Sequence, residues 1–327
     1  MDIQTIIYSY IPHNYKILKF VNKKYYKDII EYCSYFNISA KLTLNDIDIR
    51  QTEWFCEYFQ INEDNITLEL LVKNDFLNYI RQQKYNLQQL RLIAIKYGKT
   101  NIYEYCLNNG INISSNDYFN AIDNNQIEFL DYLIKKKDPK KFTNLCCYSI
   151  TAQKFDALVY LVKKNFRINA MTSGTAALRG DLDTLQWLDT VNCPIDPWTL
   201  KCACHSGDID IVKWLIHTKG LRPNSESLYA ACNSKKLDLV IYIKENYNIY
   251  WTIEHSVGAA QKNSVDILQY IRETYGIINQ ETLKYACIGN HREAIEYIIS
   301  IGIKPTNDLL NSYTLTQPIR DLLEQYV

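Results

Sequence analysis

Cys193, Cys202, Cys204 and His205 lie close together in the sequence, and Cys146 and Cys147 are adjacent. Thiolates and imidazoles are the ligands zinc prefers. A structural zinc site, however, is usually assembled from paired C-x2–4-C or H-x3–5-H ligands, and neither pairing occurs in duplicate. The five histidines (His13, His205, His217, His255, His291) pair with no serine or cysteine nucleophile in any recognisable spacing. An acid recurs at Glu128, Asp156, Asp183, Asp210, Asp238, Asp266 and Glu293. Two carboxylates could share acid–base work, but one acid at a regular interval is what a series of helix starts favours, because the helix dipole attracts negative charge there. The ten glycines are scattered singly and form no phosphate-cradling loop. The sequence therefore predicts no catalytic, cofactor-binding or metal-ligating residue. An enzyme, as an alternative, would have to be carried by residues 1–66.

What remains is contact chemistry. Trp198, Arg222, Tyr250 and Trp251 fall near repeat junctions, outside the regular slots described below. Trp, Tyr and Arg dominate binding hot spots, so these four are the candidate partner-binding residues. Lys135, Lys136, Lys137, Lys140 and Lys141 form a basic run, read as a solvated loop between repeats. Lys plus Arg and Asp plus Glu both number 36, so the net charge is zero. That argues against nucleic acid as partner, since coating it requires a basic excess. No stretch of 18 apolar residues occurs, so no membrane span is expected. The N-terminus lacks a basic region and a small-residue cleavage site. Ten cysteines without a disulfide framework then suit an intracellular, reducing compartment.

The elements that must position these residues follow from an internal repeat. GDLDTLQWL (180–188) matches GDIDIVKWL (207–215). A small anchor residue precedes each Gly by four places, and the anchors form a ladder: Ala94, Ala121, Ser149, Ala176, Ala203, Ala231, Ala259, Ala286. The steps are 27 or 28 residues. Nine places after each anchor stands Tyr103, Leu130, Leu158, Leu185, Val212, Val240, Leu268 or Ile295. Eleven places after it stands an aromatic: Tyr105, Tyr132, Tyr160, Trp187, Trp214, Tyr242, Tyr270, Tyr297. An earlier, weaker repeat fits at Leu68, with Asp75, Leu77 and Tyr79 in the same slots. Each repeat reads as two helices. Ser114, Asn169, Asp196, Asn224, Thr252 and Asn279 are N-caps of the first, and Pro197 suits the first helical position. The second helix begins after the Gly slot and buries its ninth, eleventh and twelfth places, with the aromatic ladder as core. Cys204, Cys232 and Cys287 share the slot after the anchor, which reads as a buried small apolar position. One such pair cannot bury its own apolar face, whereas stacked neighbours can.

The pattern Ala-x3-Gly-Asp-x-Asp-x-hydrophobic-x-Trp-Leu, followed by Cys193-Pro194-Ile195-Asp196, resembles the divergent ankyrin repeats of giant DNA viruses of amoebae. The resemblance covers roughly residues 68–305 and is strongest at 170–220. It implies an all-α, ankyrin-like solenoid of 27–28-residue helix pairs, with the inter-repeat hairpins shortened from the usual period of about 33. Thr199-Leu200 and Thr282-Leu283 keep a remnant of the family's Thr-Pro-Leu-His opening. Ile6–Ile30 resembles a degenerate F-box, carried by Leu18, Val21, Asn22, Lys23 and Tyr25, but lacks the Leu-Pro-x-Glu opening.

The expected organisation is thus an N-terminal helical cap or F-box-like segment (1–66), eight or nine ankyrin-like repeats (67–305) and a C-terminal capping helix (306–327). The expected function is a non-catalytic scaffold for protein–protein interaction, binding a host protein in the host cytoplasm, with the virion as another location. The alternative is a substrate receptor whose N-terminus docks a ubiquitin-ligase adaptor.

Overall fold

The structure, a computed structural model, describes residues 68–73, 75, 77–82, 85–139, 144–311 and 315–326. The cap and F-box expectations for residues 1–66 lie outside them. The chain divides into two compact lobes, Met1–Phe142 and Thr143–Val327.

All regular structure among the described residues is helical. The first lobe holds α1 (Leu68–Lys73), α2 (Leu77–Gln82), α3 (Leu87–Lys96), α4 (Thr100–Asn108), α5 (Ser115–Asp123) and α6 (Ile127–Lys136). Consecutive helices pair as α1–α2, α3–α4 and α5–α6, and the first members α1, α3 and α5 pack in a row. The second lobe holds α7 (Leu145–Thr151), α8 (Phe155–Lys163), α9 (Ala170–Leu178), α10 (Leu182–Thr190), α11 (Pro197–Ser206), α12 (Ile209–His217), α13 (Ser225–Asn233), α14 (Leu237–Asn246), α15 (Ile253–Gln261), α16 (Val265–Glu273), α17 (Gln280–Ile288) and α18 (Arg292–Ser300). These also pair in order. Their first members form one row, α7, α9, α11, α13, α15 and α17. In the range 306–327, where one capping helix is predicted, the described residues hold α19 (Asn307–Leu310) and α20 (Gln317–Glu324).

The local causes are legible helix by helix. Ser114, Asn169, Asp196, Asn224, Thr252 and Asn279 all stand as N-caps of first helices. Asp196 Oδ1 accepts the Thr199 N–H at 3.1 Å, while the Thr199 hydroxyl accepts the Asp196 N–H, satisfying two donors that the helix start leaves open. The seven recurring acids all lie in the first turn of second helices.

The end of the first helix explains the anchor. Four places after every anchor the backbone turns left-handed: Gly98, Asn125, Gln153, Gly180, Gly207, Lys235, Asn263 and Asn290 have φ between 52° and 79°. The next N–H then reaches back to the anchor carbonyl, as Lys99 does to Ala94 (2.8 Å) and Asp181 to Ala176 (3.1 Å). This is a Schellman turn, with the anchor as the third residue from the helix end. In two repeats a serine mediates instead. Ser206 Oγ donates to the Ala203 carbonyl (2.8 Å) and accepts the Asp208 N–H (3.3 Å), and Ser234 does the same for Ala231 and Lys236. All eight anchors are fully buried.

The same turn corrects the register of the earliest repeat. Its left-handed residue is Asp75, whose N–H donates to the Val72 carbonyl at 3.0 Å. The anchor is therefore Leu71, itself buried, and not Leu68.

The aromatic ladder is not core. All eight of its residues are half-buried. The buried stripe of the second helix is instead the eighth, ninth and twelfth places, for example Ile211, Val212 and Leu215. At about 100° per residue, these three span roughly 100° of the helix, and the eleventh place lies outside that arc. The aromatics sit on the flank, several under cations: Arg81 over Tyr105, Lys136 over Tyr132, Lys164 over Tyr160 and Lys213 over Tyr242.

A left-handed backbone costs an ordinary side chain about 1–2 kcal/mol. Gln153→Gly should therefore raise stability by about 1 kcal/mol in urea unfolding. Asn263→Gly should not, because Asn263 Oδ1 accepts the Ala294 N–H (3.0 Å) and its amide donates to Glu293 (2.6 Å). Equal gains from both would show that backbone strain alone sets the effect and that the Asn263 hydrogen bonds contribute nothing.

Candidate partner-binding surface

Among the described residues seven thiols are buried and Cys147 is half-buried. Cys204, Cys232 and Cys287, which share one slot, are buried, and burial pushes Cys204 and Cys287 up to about 12. Burial likewise pushes Cys193 up to about 11 and raises Cys202. Such thiols are poor nucleophiles. Among the described residues no three His, Cys, Asp or Glu side chains group as a metal site.

Among the described residues one serine–histidine contact occurs: Ser225 Oγ lies 3.3 Å from His255 Nε2. The imidazole is held by backbone on both sides. Its Nδ1 accepts the Thr252 N–H at 2.8 Å, so Nε2 carries the proton and donates it to the Ser225 carbonyl at 3.0 Å. No lone pair remains to take a proton from the hydroxyl, so the pair cannot work as nucleophile and base. His255 fills a buried capping slot that Thr172, Thr199 and Thr282 fill in other repeats.

That burial has a pH consequence. Desolvation, aided by the Lys244 charge and opposed by Glu254, holds His255 below its ordinary value of 6.5. Above pH 6.5 both folded and unfolded forms are neutral, and the full stability is present. As pH falls below 6.5 the unfolded chain takes up a proton that the folded chain refuses, so stability drops, at most by about 1.4 kcal/mol per pH unit. Comparing wild type with His255→Thr by urea unfolding between pH 7.5 and 5 should show the extra slope only in wild type. Parallel slopes would refute it.

The four candidate contact residues separate into different places. Trp198 is the second residue of α11 and 51% exposed. Its indole lies over Gly174 of α9, where an added Cβ would stand 2.9 Å from Nε1. The Lys201 ammonium sits 5.5 Å from its ring centroid. Arg222 and Tyr250 occupy the same slot, nine places before the anchor, in successive repeats, and both are exposed, Tyr250 at 79%. Trp251 is half-buried and engaged internally. Its Nε1–H donates to Thr274 Oγ1 at 3.0 Å, Lys244 lies 4.7 Å from its ring, and its edge meets His255 and Tyr270.

Sequence reasoning missed Tyr275, 97% exposed with a left-handed φ of 59° at the end of α16. It stands where other repeats carry Gly110, Asn165 or Asn192, and that substitution was its available signal. Exposed Glu226, Glu254 and Glu281 were also missed. They recur five places before three successive anchors.

The basic run is largely engaged. Lys135 and Lys136 end α6 rather than lying in a loop, and pair with Asp131 (2.6 Å) and Glu104 (2.7 Å). Lys137 Nζ donates to the Ile113 carbonyl. Lys140 and Lys141 lie outside the described residues. Among those described, no helix is long and apolar enough to cross a membrane. No protein-family model matches the chain, and no curated protein matches it.

Proposed function

We propose that the chain is a non-catalytic, ankyrin-like helical-repeat solenoid whose exposed slots bind a protein partner. One observation carries this reading: the anchor and ninth places hold similar residues repeat after repeat, while the exposed slot nine places before the anchor varies freely. The anchors and the ninth places are fully buried in all eight repeats. The exposed slot nine places before the anchor reads Arg167, Pro194, Arg222, Tyr250 and Ile277 over five successive repeats. Packing of neighbours sets the first kind of slot, and nothing in the fold sets the second. Large apolar or basic residues there, such as Tyr250 and Arg222, are suited to a protein surface. The resemblance at 170–220 makes a protein of an amoebal host the proposed partner. Free thiols throughout the described chain go with a reducing compartment such as the host cytoplasm.

The test is capture of host proteins on the immobilised full chain, followed by calorimetry with the purified captured protein. Trp198→Ala, Arg222→Ala and Tyr250→Ala, combined, should weaken binding at least tenfold. Retention of no protein above a blank resin, or unchanged affinity of the triple variant, would overturn the reading.

A further inference from the structure

The first-helix row of the second lobe carries a groove of about 490 Å3, open to solvent, whose lining includes Glu226, Tyr229, Glu254, Val257, Glu281 and Tyr285. The three glutamates are equivalent: each is the second residue of its helix, in α13, α15 and α17. Helix-start electrostatics do not account for them. The same position reads Asn116, Met171 and Trp198 in α5, α9 and α11, and those helices form without an acid there. Within the second lobe's row of first helices the acids at this position are confined to the three successive helices that share the groove.

The groove's own edge shows what these carboxylates accept. Lys201, which also lines it, places its ammonium 2.9 Å from Glu226 Oε2 and 5.5 Å from the Trp198 ring centroid. One carboxylate is thus occupied by a lysine of the chain, with an aromatic ring beside it. No ion pair among the described residues engages Glu254 or Glu281. Tyr229, Val257 and Tyr285 offer apolar surface between the acids, suited to the aliphatic stem of a lysine or arginine.

We propose that this groove binds an extended peptide carrying basic side chains at every third residue. The proposal rests on the scaffold reading above and names the chemistry of its partner. The spacing comes from geometry. Packed helices lie roughly 8–10 Å apart, so equivalent residues on neighbouring helices repeat at about that distance. A polyproline-type strand advances about 3.1 Å per residue, and three residues span about 9 Å. Basic residues at positions i, i+3 and i+6 therefore come into register with successive repeats, whereas contiguous basic residues do not.

The experiment uses the full chain and two fluorescein-labelled nonapeptides of equal composition, otherwise serine and alanine. One has lysine at positions one, four and seven, and the other has three contiguous lysines. Fluorescence polarisation at low salt should show the spaced peptide binding roughly fivefold to tenfold tighter. Glu254→Gln with Glu281→Gln should abolish that preference, each exposed pair contributing up to about fivefold. Both glutamates are exposed, and a thermal melt of the double variant verifies that folding is intact. Equal binding of the two peptides would mean unspecific attraction to acid, and would overturn the proposal. So would a spacing preference that survives in the double variant, or no binding of either peptide. The scaffold reading fails separately. If the captured host protein binds the double variant as it binds wild type, the scaffold stands and the groove assignment falls.

Discussion

Leu215→Ala should lower the unfolding free energy by about 2–5 kcal/mol, the range for a buried leucine whose removal leaves a cavity. Leu215 is fully enclosed at the twelfth place after its anchor, beside Ile211 and Val212 on the same stripe. Trp214→Ala, one residue away, should cost less, about 2 kcal/mol. Trp214 is half-buried, so part of its ring already meets water and its removal opens a surface notch rather than a void. The order is the informative quantity, because a large aromatic would ordinarily outrank a leucine. Urea unfolding followed by circular dichroism measures both. A larger loss for Trp214→Ala would put the aromatic ladder back in the core.

Asp117→Ala should cost about 3–5 kcal/mol, as for other buried pairs that lose one partner. Asp117 is fully buried at the start of α5. Its Oδ2 accepts the Tyr103 hydroxyl at 2.8 Å and the Ser114 N–H at 2.8 Å, and Oδ1 lies 3.6 Å from Arg91 Nε. Burial, with the Asp117 charge adding to it, raises Tyr103 above its ordinary value, which keeps the phenol protonated as the donor. Alanine would strand a phenol, a cap N–H and a guanidinium together. The other repeats solve the site without charge. Leu200 and Leu228 stand where Arg91 does, Leu185 and Leu268 where Tyr103 does, and Thr172 or Thr199 where Asp117 does. The combination Arg91→Leu, Tyr103→Leu and Asp117→Thr should therefore recover most of the loss, because apolar replacement of a whole buried ionic group is often neutral. If the triple variant is as unstable as Asp117→Ala, the cost does not come from stranded partners.

These two sites mark how far the sequence could be read. The anchor ladder, the N-caps and the acids at second-helix starts were legible because each slot admits few residue types. In the eight repeats from Ala94 onward a small side chain sits between the stacked helices, with Leu71 the exception in the earliest repeat, and Ser, Thr, Asn or Asp reaches the first-turn N–H groups. The eighth place was illegible for the opposite reason. It holds Ile102, Phe129, Ala157, Thr184, Ile211, Leu239, Ile267 and Ala294, a range of volumes that shows no letter pattern although every one is buried. The aromatic slot misled because chemical regularity was equated with burial. A tyrosine on a flank is just as regular when its neighbours are stacked lysines. The first repeat was misregistered because its turn residue is Asp75, where a reader looks for glycine or asparagine. The groove acids were overlooked for want of three-dimensional adjacency, since Glu226, Glu254 and Glu281 stand 28 and 27 residues apart.

The enclosed thiols give the chain a built-in clock for local opening. Cys106, Cys146, Cys193, Cys204, Cys232 and Cys287 are spread from α4 to α17 and all are buried. Burial pushes Cys106 up to about 11 and Cys146 up to about 12, so each is silent toward an alkylating reagent while its own repeat is closed. A sulfur becomes reactive only when the helices around it separate. Brief exposure to iodoacetamide, followed by peptide mapping, would then record an opening rate at each position from native sulfur alone. Within the second lobe, whose first helices are held by neighbour contacts, those rates would reveal whether the row frays from its ends or parts in the middle.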